Sequence, residues 1–334
     1  MNRIYLYTAI LTLIVGCKQP QQREYQNIIG FTQGTSYKII YHDQSNRDFS
    51  GEVNLLLEKI DSSMSLYRNS SIINRFNESS TGIMVDSLLA HVAELSIRYS
   101  HETDGAFDFT VGPLVKAWGF HAKRGEMPDS LQLVEMIKHT GAGMVIINGL
   151  QLSKVLPDVQ IDVNAIAQGY TVDVIAQLFD KKGIADYLVE VGGEVRTKGK
   201  SPRGDKWLVG IDRPDDHALS GENLQVIVAL SGMSLVTSGN YRRFFVKDGV
   251  KYSHTINPKS GYPVNHTLLS ATVIDSTAAR ADALATAFMV MGLELTKEWL
   301  EKNSGVEAYL IYSGTDGEYN VWMSKGMEKY IKKK

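Results

Sequence analysis

The sequence predicts an α+β fold in a single layered domain, and three observations carry that reading. Strand-like and helix-like segments follow one another in mixed order, which argues for layers rather than strict βαβ winding. No linker rich in Gly, Pro or Ser divides the chain after residue 30. With 334 residues, 43% of them apolar, the chain is long enough to bury a substantial core.

At the amino terminus, Asn2 and Arg3 precede an apolar run from Ile4 to Gly16. That run is too short to span a membrane comfortably and has the character of a signal-peptide core. It ends at Cys17, the only cysteine, so an intramolecular disulfide is impossible. The pattern resembles a bacterial lipobox. Residues 1–16 would then be a lipoprotein signal peptide, with diacylglycerol on the Cys17 sulfur. Residues 17–29, polar from Lys18 to Glu24, would be a lipid-anchored tether, and 30–334 the folded domain.

Thr35 to Tyr41 reads as a strand, and Val53, Leu56, Leu57, Ile60 and Met64 follow helical spacing. Asp86 is placed to N-cap a helix running to about Tyr99, with Leu88, Leu89, Val92 and Leu95 on one face. Pro128-Asp129-Ser130 opens a short helix that Gly141 stops. Four short strands are then expected at Met144–Ile147, Gln160–Val163, Tyr187–Val191 and Trp207–Ile211. A helix from Ala165 to Phe179, stopped near Gly183, separates the second from the third. Strands at Leu224–Leu230, Tyr241–Val246 and Leu268–Ile274 lead to an alanine-rich helix, Ser276 to Gly292. A helix at Glu294–Lys302, a strand at Val306–Tyr312 and a basic tail complete the chain.

The alanine-rich helix is the most informative segment. It carries one carboxylate, Asp282, with the Thr286 hydroxyl one turn later on the same face. Its surroundings are apolar, so the carboxylate needs a cationic partner. Arg280 or another basic side chain is one candidate. A hard metal ion is the other, because carboxylate, hydroxyl and carbonyl oxygens suit Mg²⁺.

Four further clusters combine polar groups with glycine. Gly105-Ala106-Phe107-Asp108, leading into Thr110 to Val115 and Trp118, reads as a loop that either feeds a buried Trp or faces a planar ligand. Asp162 to Tyr170 passes from a strand end into a helix start. Asp162 or Asn164 could cap that helix, and its free amides could meet an anion. Gly192-Gly193-Glu194 reads as a turn. Thr237 to Arg242, with Ser253 to Gly261 just beyond, sets His254 among hydroxyl, amide and glycine neighbours that suit a phosphate or acid–base site. Phosphate-loop, nucleophile-elbow, dinucleotide-fingerprint and paired-histidine zinc motifs are absent. A formal net charge of −2 offers no global electrostatic case for nucleic acid.

In this order the clusters resemble the FAD:protein FMN transferase (ApbE) family of bacterial flavin-trafficking lipoproteins. The resemblance runs from about Thr32 to about Gly292. It adds Thr32-Gln33-Gly34-Thr35 and Met64-Ser65-Leu66-Tyr67 to the pieces above. It implies an ApbE-type fold of mixed, mainly antiparallel sheets packed with helices. It also implies Mg²⁺-dependent transfer of FMN from FAD to a Thr or Ser hydroxyl of an acceptor protein, with release of AMP. By position, the metal ligands would be the Ala165 carbonyl, Asp282 and Thr286. Flavin and nucleotide contacts would fall on Gln33, Tyr67, Ala106, Phe107, Asp108, Asp162, Gln168 and Ile256, with Tyr67 suited to stack on a flat ring. His254 would be the base, making His254 and Asp282 the catalytic pair, with Glu194 and Arg242 in support. The acceptor would carry the motif Asp-x-x-Ser/Thr-Gly-Ala-Ser/Thr, and the protein would sit in the bacterial cell envelope, lipid-anchored and facing the periplasm.

Three residues depart from the family pattern: Gln168 stands where lysine is usual, Asn257 where aspartate is, and Gln33 where methionine is. The metal triad is intact. Two other functions share these features: a Mg²⁺-dependent FAD pyrophosphatase giving FMN and AMP, and a non-catalytic flavin-binding lipoprotein.

Overall fold

A computed structural model describes residues 23–333 apart from 121–126, 216–220, 241–243, 248, 249 and 316. The expected signal peptide, Cys17 and Arg242 lie outside the described residues. No helix among the described residues is long and apolar enough to cross a membrane.

An eight-stranded sheet organises the molecule, in the order β1 (Gln26–Thr32), β2 (Thr35–His42), β6 (Asp186–Val191), β7 (Glu194–Lys198), β10 (Ser234–Gly239), β13 (Leu268–Asp275), β14 (Glu307–Ser313) and β15 (Tyr319–Met323). Every neighbouring pair is antiparallel, as expected for an α+β layered fold. Smaller sheets join β3 (Gly82–Met84) and β4 (Val145–Asn148) to β5 (Gln151–Lys154), β8 (Trp207–Asp212) to β9 (Leu224–Leu230), and β11 (Phe244–Lys247) to β12 (Val250–Ser253).

The helices are α1 (Ser50–Met64), α2 (Ile72–Glu78), α3 (Ser87–Glu102), α4 (Gly112–Ala117), α5 (Ser130–Ile137), α6 (Ala167–Lys181), α7 (Ala278–Met291) and α8 (Leu293–Lys302). Asp86 caps α3 through the Leu89 N–H at 2.9 Å, as its sequence position predicts. Asp129 and Gln132 close a reciprocal capping box on α5.

One face of the large sheet packs Ile39, Tyr41, Val189, Val236, Val273 and Leu310 against α1, α6 and α7. Residues of α7 enter two cores: Ala281, Leu284, Ala285 and Phe288 join the sheet side, and Ala279, Ala283 and Ala287 the side built by α3 and the loops. A helix covered all round needs no polar face, which accounts for its alanine-rich, evenly apolar sequence.

Two hairpin turns meet at one end of the sheet. Gln33 and Gly34 (φ 49° and 74°) link β1 to β2, and Gly192 and Gly193 (φ 67° and 111°) link β6 to β7. Positive φ at both central positions matches strand twist in a two-residue hairpin. The Gly192 N–H donates to Ser36 O at 3.1 Å, which sets the two turns side by side.

Three expectations are corrected. Gln160–Val163 alternates like a strand, and Ile161 and Val163 are buried, yet it pairs with no strand. The Asn77 side chain binds the Ile161 N–H and carbonyl (2.8 and 2.9 Å), and the Asp162 N–H donates to Phe109 O, so the backbone is satisfied without a ladder. Asp162 and Asn164 do not cap α6, which starts after Ile166 with no side-chain cap. The strand expected at Tyr241–Val246 is β11, Phe244–Lys247, and Tyr241 lies outside the described residues.

Candidate active site

A cleft of about 690 Å³ opens where the two hairpin turns, the start of α6, the end of β10 and the middle of α7 converge. Each expected site residue that the structure describes lines it: Gln33, Tyr67, Ala106, Phe107, Asp108, Asp162, Ala165, Gln168, His254, Ile256, Asp282 and Thr286. They come from stretches far apart in the chain. Glu194 lines it too.

Asp282 is 5% exposed. Its Oδ2 accepts the Gly169 N–H at 3.0 Å. Burial pushes its carboxyl well above the usual range, the Gly169 bond pulls it back in part, and the Asp173 charge pushes it up further. Arg280, the basic neutraliser considered above, turns away and pairs with Glu102 and Asp275. Among the described residues no Lys or Arg ion-pairs with Asp282. A buried carboxylate with one N–H donor and a hydroxyl a turn away, with Ala165 on the same cleft wall, suits a hard divalent cation. No group of three or more His, Cys, Asp and Glu side chains that could hold a metal is found among the described residues. Ser238, which the sequence reading placed only within a cluster, brings its Oγ to 3.3 Å from Thr286 Oγ1.

The amino terminus of α6 enters the cleft through Ala167 and Gln168. The Ile166 and Ala167 N–H groups there donate to Val163 O and the Gly169 N–H to Asp282, which leaves the Gln168 N–H of that turn to meet an anion. Beside it, Gln33 holds a left-handed backbone and donates to Thr171 Oγ1 at 2.7 Å. Asp108 and Asp162 each accept a bond from the residue two positions on. Asp108 accepts from the Thr110 N–H and hydroxyl, and Asp162 from the Asn164 N–H. Burial raises the Asp108 carboxyl despite the Thr110 bonds.

At the outer end, Tyr67 is 77% exposed, at the mouth of the cleft. The loop carrying His254 and Ile256 is fastened from behind by Trp118, whose Nε1–H donates to Gly261 O at 2.8 Å. His254 is half-buried, with its ring edge-on to Phe120. Asp61, on α1, lines the cleft and was not singled out from the sequence. On α1 beside Ile60, nothing in the local sequence separates a cleft carboxylate from an ordinary one on the helix surface.

The sequence profile of the ApbE family matches residues 33–310. The chain belongs to the ApbE family. Curated relatives are called FAD:protein FMN transferase. The one from Vibrio cholerae serotype O1 is 36% identical, with 97% of this chain and 98% of that protein covered. The one from Escherichia coli K12 is 34% identical, with 99% and 97% covered. Among solved ApbE structures, the flavin transferase ApbE from Vibrio cholerae superposes with a TM-score of 0.83 at 35% identity, covering 92% of this chain and 99% of that one. The ApbE protein from Thermotoga maritima gives 0.80 at 28% identity, covering 93% and 100%.

Proposed function

We propose that this ApbE-family protein moves FMN from FAD onto a serine or threonine hydroxyl of an acceptor protein, with Mg²⁺ as cofactor and AMP as the leaving product. The observation that carries the reading is a buried carboxylate, Asp282, that no Lys or Arg side chain neutralises among the described residues, in a cleft that also receives the start of α6. FAD:protein FMN transferases of similar length and sequence support it.

Asp282, the Thr286 hydroxyl and the Ala165 carbonyl would hold the cation. When bound, it neutralises the diphosphate charge that grows as AMP leaves. The Gln168 N–H at the start of α6, on the same cleft, would meet one of those phosphates. Tyr67 at the mouth is suited to stack on the isoalloxazine ring. The acceptor oxygen attacks the FMN-side phosphorus in line, the bond from that phosphorus to the bridging oxygen breaks, and AMP departs with that oxygen. His254 takes the hydroxyl proton, a role its near-neutral intrinsic pKa suits. Glu194 stands close enough to support the site.

The Cys17 pattern supports a lipid anchor at the cell envelope, with the domain facing the periplasm. Labelled palmitate should be lost on Cys17→Ala.

The test is incubation with FAD and Mg²⁺, with and without a peptide bearing the family's acceptor motif. A flavin-fluorescent peptide is expected. FMN and AMP without labelled peptide would replace transfer by hydrolysis, and unchanged FAD would leave only a binding role.

A further inference from the structure

Helices α6 and α7 run antiparallel, and their contacts recur every four residues. The Asp173 carboxylate on α6 accepts the N–H groups of Ala278 and Ala279, the first residues of α7, at 3.0 and 2.9 Å. Four residues earlier on α6, the Gly169 N–H meets Asp282, four residues later than Ala278 on α7. One more step of four in each direction reaches Ala165 and Thr286, both on the cleft wall.

The start of α7 has no cap of its own, because its N-cap residue Thr277 makes no side-chain bond to it. Asp173 supplies that cap from the neighbouring helix. It is 4% exposed, and Arg196 ion-pairs with it. Arg196 lies on β7 opposite Ser234 of β10, so the cap is tied to the sheet as well.

We propose that Asp173, held by Arg196, is a positioning residue that sets the register of α7 against α6 and so aims Asp282 and Thr286 at the Ala165 carbonyl. The inference rests on the reading of those three as cation ligands. A helix rises about 1.5 Å per residue. Mg²⁺ demands near-ideal oxygen geometry at about 2.0–2.1 Å. A slip of less than one residue therefore suffices to spoil the site while the fold survives.

The test measures Mn²⁺ binding, as a Mg²⁺ surrogate, by electron paramagnetic resonance in the wild type, Asp173→Asn, Asp173→Glu and Asp282→Asn. FAD binding without metal is measured in parallel by fluorescence. Substitutions behind metal ligands cost about 10–100-fold in affinity, and that loss is expected in both Asp173 variants, with metal-free FAD affinity kept. Asp173→Glu keeps the charge and displaces it. Wild-type Mn²⁺ affinity in that variant overturns the positioning role, because charge alone then explains any loss in Asp173→Asn. Should neither Asp173 variant fold, Arg196→Lys decides, with weakened Mn²⁺ binding expected and unchanged binding overturning the proposal. If Asp282→Asn binds Mn²⁺ as the wild type does, the ligand reading itself falls.

Discussion

The Gly169 amide donates to Asp282 Oδ2 at 3.0 Å, and among the described residues no other hydrogen bond or ion pair to that carboxylate is found. Such a group favours its protonated form in the metal-free protein, because burial raises its pKa. The unfolded chain ionises first as pH rises, so Asp282 costs stability progressively between the ordinary carboxylate value and its raised folded value. Metal-free protein should therefore lose melting temperature as pH rises through that window, and Mg²⁺ should restore it. Asp282→Asn should flatten this slope and abolish the Mg²⁺ effect in a scanning-fluorimetry pH series. The same slope in the variant would assign it to another group.

Gly169 has no room for a side chain. A Cβ there would sit 2.4 Å from Ala278 O and 2.8 Å from Asp282 Cβ. Overpacking of this kind costs about 1–3 kcal/mol. Gly169→Ala should lower the melting temperature and cut turnover far more than FAD affinity, because α7 must move away from α6. Calorimetry and steady-state kinetics on the same preparation check both effects.

Trp118 acts at a distance from the reacting atoms. Trp118→Phe keeps most of the packing around Leu114, Leu133 and Ile256 but leaves the buried Gly261 carbonyl without its donor. An orphaned buried group costs about 1–3 kcal/mol. The expected outcome is a lower kcat with a smaller change in KM for FAD, as the His254 loop loses its fastening. Unchanged kcat would show that the loop holds its shape without Trp118.

His254→Ala should slow transfer by about 10²–10⁴-fold, the usual range for a lost general base. FAD should still bind with Mg²⁺ present, as read by quenching of flavin fluorescence. A full transfer rate would remove His254 as the proton acceptor.

Much of this was legible in the sequence where local rules suffice. Asp86 before an amphipathic run marked α3, and Leu224–Leu230, a nearly continuous apolar run rich in Val, Ile and Leu, bounded β9. Asp282 and Thr286 were legible as a pair because helical spacing alone puts them on one face. What escaped depended on partners distant in the chain. Gln160–Val163 has the alternation of a strand, but Asn77 takes its backbone bonds. β10 was read only as a polar cluster because Thr237 and Ser238 are chosen for the cleft and for Thr272, not for strand propensity. α4 was read as a loop from its Gly-Pro start, although proline fits the first turn of a helix. Arg280, two residues from Asp282, looked like its partner. On a helix that spacing turns the two side chains apart, and Glu102 and Asp275 claim the guanidinium.

The most direct measurement is a crystal structure of the protein grown with FAD and Mg²⁺. The account predicts one octahedral ion bound by the Asp282 carboxylate, the Thr286 hydroxyl and the Ala165 carbonyl, with diphosphate oxygens completing its shell at about 2.0–2.1 Å. FAD bound with its diphosphate remote from α7, or an ion seated on other residues, would contradict it.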